Sequence, residues 1–171
     1  MSGVGLSRGD ETVTAVTARA LARHTGRPAV WRACGLSGAT VRDALQRLVP
    51  SLAPEPADLV IVAFGVNDAT SYRSPSAFAD DLTELVTAAR NRVGEAAVVV
   101  GGVAPLECFP ALPWPLRSIL GWRSVALQAA ADRLAGRLPR LVSRAFFSAV
   151  AARPVRPRRV SPKFPGALAL G

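Results

Sequence analysis

Histidine and cysteine are scarce in this chain, and both shortages narrow its chemistry. One histidine, His24, and two cysteines, Cys34 and Cys108, occur in 171 residues. Two cysteines so far apart make neither a disulfide framework nor a metal-ligand cluster, so both are expected to be packing residues. Long apolar runs are missing too. The longest are near eight residues, such as 145–152 with its single break at Ser148, far short of a membrane span. The opening residues Met1-Ser2-Gly3-Val4-Gly5-Leu6 lack a basic stretch ahead of a long apolar core. No secretory signal is visible, and a cytoplasmic location is expected. There is no internal period and no Gly/Ser linker; Gly and Pro are plentiful only as punctuation.

Acidic residues stop altogether after Asp132. Up to that point acids and arginines are equal in number, so the whole formal charge of +9 falls in the final 39 residues. Such a tail has the composition of a contact for nucleic acid or anionic lipid. Its basic residues are not interleaved with aromatics in a base-stacking pattern, however, and nucleic acid is the least favoured partner. The change in composition reads instead as a segment foreign to the preceding domain. We expect an α/β domain over 1–138 and a poorly ordered Arg/Pro-rich tail over 139–171.

What is present is an apolar half of the composition, enough for one domain with a core. A first helix is expected over 8–24, with Val13, Val16, Ala20 and Leu21 as its buried stripe and Gly26 closing it. Residues 28–33 read as a short strand. Thr40-Val41-Arg42-Asp43 has capping-box spacing, and Val41, Ala44, Leu45 and Leu48 continue with helical period to Pro50. Residues 59–64 make the best strand, continuous and apolar, and are expected to be covered on both faces. Ser74-Pro75 opens a helix whose stripe is Phe78, Leu82, Leu85, Val86 and Ala89, ended by Gly94. A third strand over 96–100, a proline-rich loop and a last helix over 116–138 follow. Strands alternating with helices at this spacing indicate α/β with a parallel sheet.

Two loops at strand ends carry the chemistry. Cys34-Gly35-Leu36-Ser37-Gly38-Ala39-Thr40 joins a strand to a helix start, where glycine admits close approach of a ligand to the backbone and the N–H groups face outward. Gly65-Val66-Asn67-Asp68 follows the best strand and presents a side-chain amide at its carboxyl end, the position where open parallel sheets bind ligands. Alone, each is a common turn. In this order, at successive strand ends, the pair resembles the SGNH (GDSL-type) hydrolase family of esterases and lipases. The likeness extends over residues 3–138 and includes Trp31-Arg32-Ala33, Gly38-Ala39-Thr40, Pro56-Ala57-Asp58 and the 101–113 stretch.

That resemblance implies a three-layer α/β/α, flavodoxin-like parallel sheet and a small-molecule ester as substrate, with no metal and no organic cofactor. By it, Gly38 supplies a backbone N–H and Asn67 its side-chain amide to an oxyanion hole, while Asp68 is mainly structural. Substrate specificity would come from the loops at 70–73 and 106–114. The family's chemistry also uses a Ser in a G-D-S block on the first strand's exit and a late D-x-x-H block. The chain departs from both. Gly9-Asp10 is followed by Glu11, Ser2 and Ser7 have no G-D-S context, and no Asp or His follows Asp132. His24 falls at the end of a helix, and Ser143 has no acid or imidazole near it in sequence. The expectation is therefore an incomplete member of the family: first strand and last block missing, a start inside the first block, and a reading frame shifted after about residue 140. Little or no esterase activity is expected of it. The alternatives are a non-catalytic binding module that uses the retained cleft, or nucleic-acid binding through the basic tail.

Overall fold

The run Leu59-Val60-Ile61-Val62-Ala63 is rich in β-branched side chains, which pack well on a pleated surface. In the computed structural model, which describes residues 13–144, this run is strand β1 (Leu59–Ala63). Strands β2 (Ala97–Gly101) and β3 (Leu141–Arg144) join it in a parallel sheet of order β1-β2-β3. Val60 lies opposite Val98 and Val62 opposite Val100, and Leu141 lies opposite Val98 on the other side. Side chains alternate along a strand, so this register gathers Val60, Val62, Val98, Val100 and Leu141 on one face.

Five helices accompany the sheet among the described residues. They are α1 (Val13–Thr25), α2 (Val41–Asp43), α3 (Val66–Thr70), α4 (Pro75–Val93) and α5 (Leu116–Ala135). Helix α2 runs on through a π turn (Ala44–Leu48) and a 3-10 turn (Val49–Ser51). The α4 boundaries follow from local chemistry. Ser74 Oγ accepts the Ala77 N–H at 3.2 Å, Pro75 occupies the first turn, and Gly94 at φ +85° stops the helix. The expected stripe of Phe78, Leu82, Leu85, Val86 and Ala89 is buried throughout. With Val41, Ala44, Leu120, Leu127 and Ala130 it closes over Val62, Val98, Val100 and Leu141. Both β1–α4–β2 and β2–α5–β3 step the same way across the sheet, and right-handed crossovers then place α4 and α5 on the same side.

Several expectations change. Among the described residues, 28–33 form no ladder with any strand, and Val30 is 93% exposed. An extended segment without a partner leaves its amides to water, and Pro28 has none to offer. Strand β1 is not covered on both faces. Only Val62 of its five residues is buried, because β1 is an edge strand among the described residues and the helices collect on the Val62 side. Helix α1 turns Ala15 and Ala18 inward, while Val16 and Leu21 are exposed at 48% and 39%. Its sequence offers two stripes at helical spacing, and the smaller side chains allow the closer approach. The helix starts no later than Val13; residues 8–12 lie outside the described residues. Cys34 and Cys108 are exposed rather than packed. Finally, the sheet continues beyond residue 138, since Leu141–Arg144 pair with β2 and Leu141 is buried. The remainder of the Arg/Pro-rich segment, 145–171, lies outside the described residues.

Candidate active site

The site begins where β1 ends. Gly65 leaves the strand at φ +117°, and a Cβ built there would meet Val103 Cγ2 at 2.6 Å. Both the dihedral and the contact demand glycine. This turn starts α3 and puts Asn67 and Asp68 in its first turn. A second turn approaches from the other side. Ala39 N–H donates to the Leu36 carbonyl at 3.3 Å, and Gly38 stands at φ +75° with open space where its Cβ would be. The chain then enters α2 through a complete capping box. The Asp43 N–H donates to Thr40 Oγ1 at 3.2 Å, and the Thr40 N–H donates back to Asp43 Oδ2 at 2.9 Å. The Thr40 hydroxyl and backbone N–H hold the Asp43 carboxyl below its ordinary range.

Two side chains lock the turns together. Asn67 Nδ2 donates to the Ala39 carbonyl at 2.9 Å. The Asp68 carboxylate accepts the Val41 N–H at 3.2 Å and 3.3 Å to its two oxygens. Asp68 is fully buried, and burial raises its pKa against the lowering pull of the N–H groups it accepts. It satisfies a donor at the start of α2 that would otherwise have no helical partner. Gly38 and Asn67, which come from turns 29 positions apart in the chain, are thereby neighbours of the same Ala39.

Behind this pair lies a network that pattern reading alone does not single out. Asp81, buried inside the α4 stripe, accepts from Arg42 Nη1 at 3.0 Å and Arg73 Nε at 2.8 Å. It therefore ties α2, the α3–α4 connection and α4 to one point. Arg123 of α5 donates to the Ala69 and Arg73 carbonyls at 2.9 Å and 2.8 Å, with its guanidinium 4.8 Å from the Tyr72 ring centroid. Gln128 accepts the Val103 N–H at 2.8 Å, bracing the loop against which Gly65 packs. A carboxylate at a stripe position beside Leu82 is the one sequence signal for Asp81; nothing in sequence marks Arg123.

A model of the GDSL-like lipase/acylhydrolase family matches residues 1–161. The chain belongs to that family. Among solved structures, the SGNH-hydrolase family esterase AlinE4 is similar at TM-score 0.65 and 25% identity. A mutant of the same esterase is similar at TM-score 0.66. In each case the match covers 94% of this chain and 79% of the esterase. No curated protein sequence matches. As a GDSL-like family member, the chain has an α/β fold with parallel strands, and its relatives act on small-molecule esters.

The expected site residues separate cleanly in this frame. Gly38 and Asn67 are brought together. His24 is exposed in the last turn of α1. Ser143 lies on β3, where its Oγ accepts from Gln128 Nε2 at 3.1 Å. Ser2 and Ser7 lie outside the described residues. Among the described residues no three His, Cys, Asp or Glu side chains are grouped to hold a metal ion, and no helix is long and apolar enough to cross a membrane. Of the expected specificity loops, 70–73 contributes Tyr72 and Arg73 to a groove of about 310 Å³, completed by Ile119, Trp122 and Arg123 of α5.

Proposed function

We propose that the Gly38 backbone N–H and the Asn67 side-chain amide are the oxyanion donors of an ester-binding site, and that this 171-residue chain binds esters without turning them over. The observation that carries the reading is the Asn67 Nδ2 contact with the Ala39 carbonyl. A side-chain amide has two N–H donors. One is held by Ala39, which fixes the plane of the group and leaves the second to a ligand. Donors oriented before the ligand arrives are what oxyanion stabilisation requires, because no reorganisation is then needed as charge develops. Gly38 complements it: with no Cβ and open space on that side, its backbone can be approached closely.

Acyl transfer in the family also needs a nucleophilic hydroxyl and an imidazole oriented by a carboxylate. The sole imidazole, His24, is at the exposed end of α1, and the sequence has no G-D-S block and no late D-x-x-H block. Binding without turnover is the chemistry this set of groups supports. The test has two readouts. Hydrolysis of p-nitrophenyl acetate is expected at the buffer rate. Butyrate, a carboxylate that presents the acyl oxygens, is expected to bind saturably. Asn67→Ala should weaken that binding about 5- to 10-fold, the effect of one hydrogen bond worth roughly 1–1.4 kcal/mol. Turnover above the buffer rate contradicts the absence of catalysis, and equal butyrate affinity in Asn67→Ala contradicts the donor assignment.

A further inference from the structure

Helix α3 is five residues long, too short to hold its shape by its own hydrogen bonds. Gly65 precedes it and has no side chain to cap it. Its carbonyls find donors in the turn that follows. The Asn67 carbonyl accepts the Ser71 N–H at 2.8 Å, and the Asp68 carbonyl accepts the Arg73 N–H at 3.0 Å. The Ala69 carbonyl accepts twice, from the Tyr72 N–H at 3.3 Å and from Arg123 Nε at 2.9 Å. Of these donors, Arg123 alone comes from another helix. The turn it clamps is strained at its centre. Tyr72 stands at φ +55°, a left-handed conformation that a residue with a Cβ rarely adopts. The Arg123 guanidinium lies 4.8 Å from the Tyr72 ring centroid, and its Nη2 reaches on to the Arg73 carbonyl at 2.8 Å. A planar fork makes these three contacts together, which the point charge of a lysine does not. Its base is fixed, because α5 buries Leu120, Ser124 and Leu127 on either side of it.

We infer that Arg123 is a positioning residue for the Asn67 amide. The inference rests on the reading of Asn67 as a ligand donor. Asn67 lies two residues ahead of Ala69 in the same short helix, so a shift of the clamped carbonyl carries the Asn67 backbone with it. The Ala39 carbonyl holds the amide from the ligand side, at 2.9 Å. The direction of the second N–H then depends on where α3 lies relative to the turn that carries Ala39. A hydrogen bond weakens steeply with misalignment, and a binding group must be held to within about 0.5 Å and 10–20°. Arg123 supplies that hold from α5. Its Nε and Nη2 are both spent on α3 and the turn after it, so it acts on a ligand through Asn67.

The experiment is a double-mutant cycle on the full chain, read as butyrate affinity, with far-UV circular dichroism checking the fold of each variant. Arg123→Ala weakens binding about 3- to 5-fold, less than loss of the Asn67 donor itself. In the Asn67→Ala background it has no further effect, because the group it positions is gone. General loosening of the fold, or simple attraction of an anion by the guanidinium, would act in both backgrounds alike. Arg123→Lys keeps the charge and still weakens binding, and it carries the same cycle should the alanine variant fail to fold. Added methylguanidinium restores Arg123→Ala but not the double variant. Wild-type affinity in Arg123→Ala, with Asn67→Ala weakened, overturns the inference and leaves the donor reading standing. An Arg123 effect that persists in full beside Asn67→Ala does the same. Wild-type affinity in Asn67→Ala is the failure of the donor reading, and it overturns this inference with it.

Discussion

Three residues of the Gly65–Asp68 turn hold the site, each for a different physical reason. Gly65 is there because the backbone has no room for anything else. Gly65→Ala combines a disfavoured positive φ with a Cβ inside the Val103 side chain, and should cost about 1–3 kcal/mol in stability. Denaturant unfolding checks this; an unchanged midpoint contradicts it. Asp68 is a buried carboxylate held for its acceptors. Burial raises its pKa, so between the ordinary Asp range and the raised value the folded chain binds more protons than the unfolded one. Its contribution to stability is then largest at low pH and is lost as pH rises through that window. Asp68→Asn cannot titrate, so the stability difference between variant and wild type should shift in the variant's favour as pH rises. Asp43, whose carboxyl is held low, titrates alike in both proteins and cancels from that difference. Parallel stability curves would show that Asp68 does not titrate as described. Asn67 differs from both: its Nδ2 is held by the Ala39 carbonyl, and in the proposed function its second donor serves a ligand.

Elements were legible from sequence to the extent that their own residues decide them. Helix α4 is the clearest case: cap, first-turn proline, stripe and terminal glycine all act locally, and all stand where the pattern puts them. The α2 capping box is equally local. Residues 28–33 fail for the complementary reason. A strand is defined by its partner, and a segment's own residues cannot supply one. The α1 stripe was ambiguous because apolar residues and alanines share the same period, and only packing chooses between them. Asp81 shows a further limit, since a charge inside an apolar stripe is explained only by arginines arriving from α2 and the α3–α4 connection. Removing it should be felt in several elements at once. Asp81→Ala is expected to destabilise the chain by about 1–2 kcal/mol, a figure held down because both arginines can partly rehydrate. Arg42→Ala should cost less, since Arg73 still reaches the carboxylate. Equal losses in thermal unfolding would show that Asp81 does not act as the shared point.

At the scale of the whole molecule, bonds from Asn67 and Asp68 hold a turn from a distant stretch of chain against the end of β1. The pairing of Gly38 with Asn67 was legible only as a resemblance, because no local rule connects positions 38 and 67; the Ala39 and Val41 contacts supply the connection. The proposed function rests on the two donors. Its most direct test is amide NMR during titration with butyrate. The Gly38 backbone resonance and the Asn67 side-chain resonances should shift together along one saturation curve, and the Asn67→Ala variant should lose the Gly38 response. Butyrate that shifts other residues while leaving these two unmoved would contradict it.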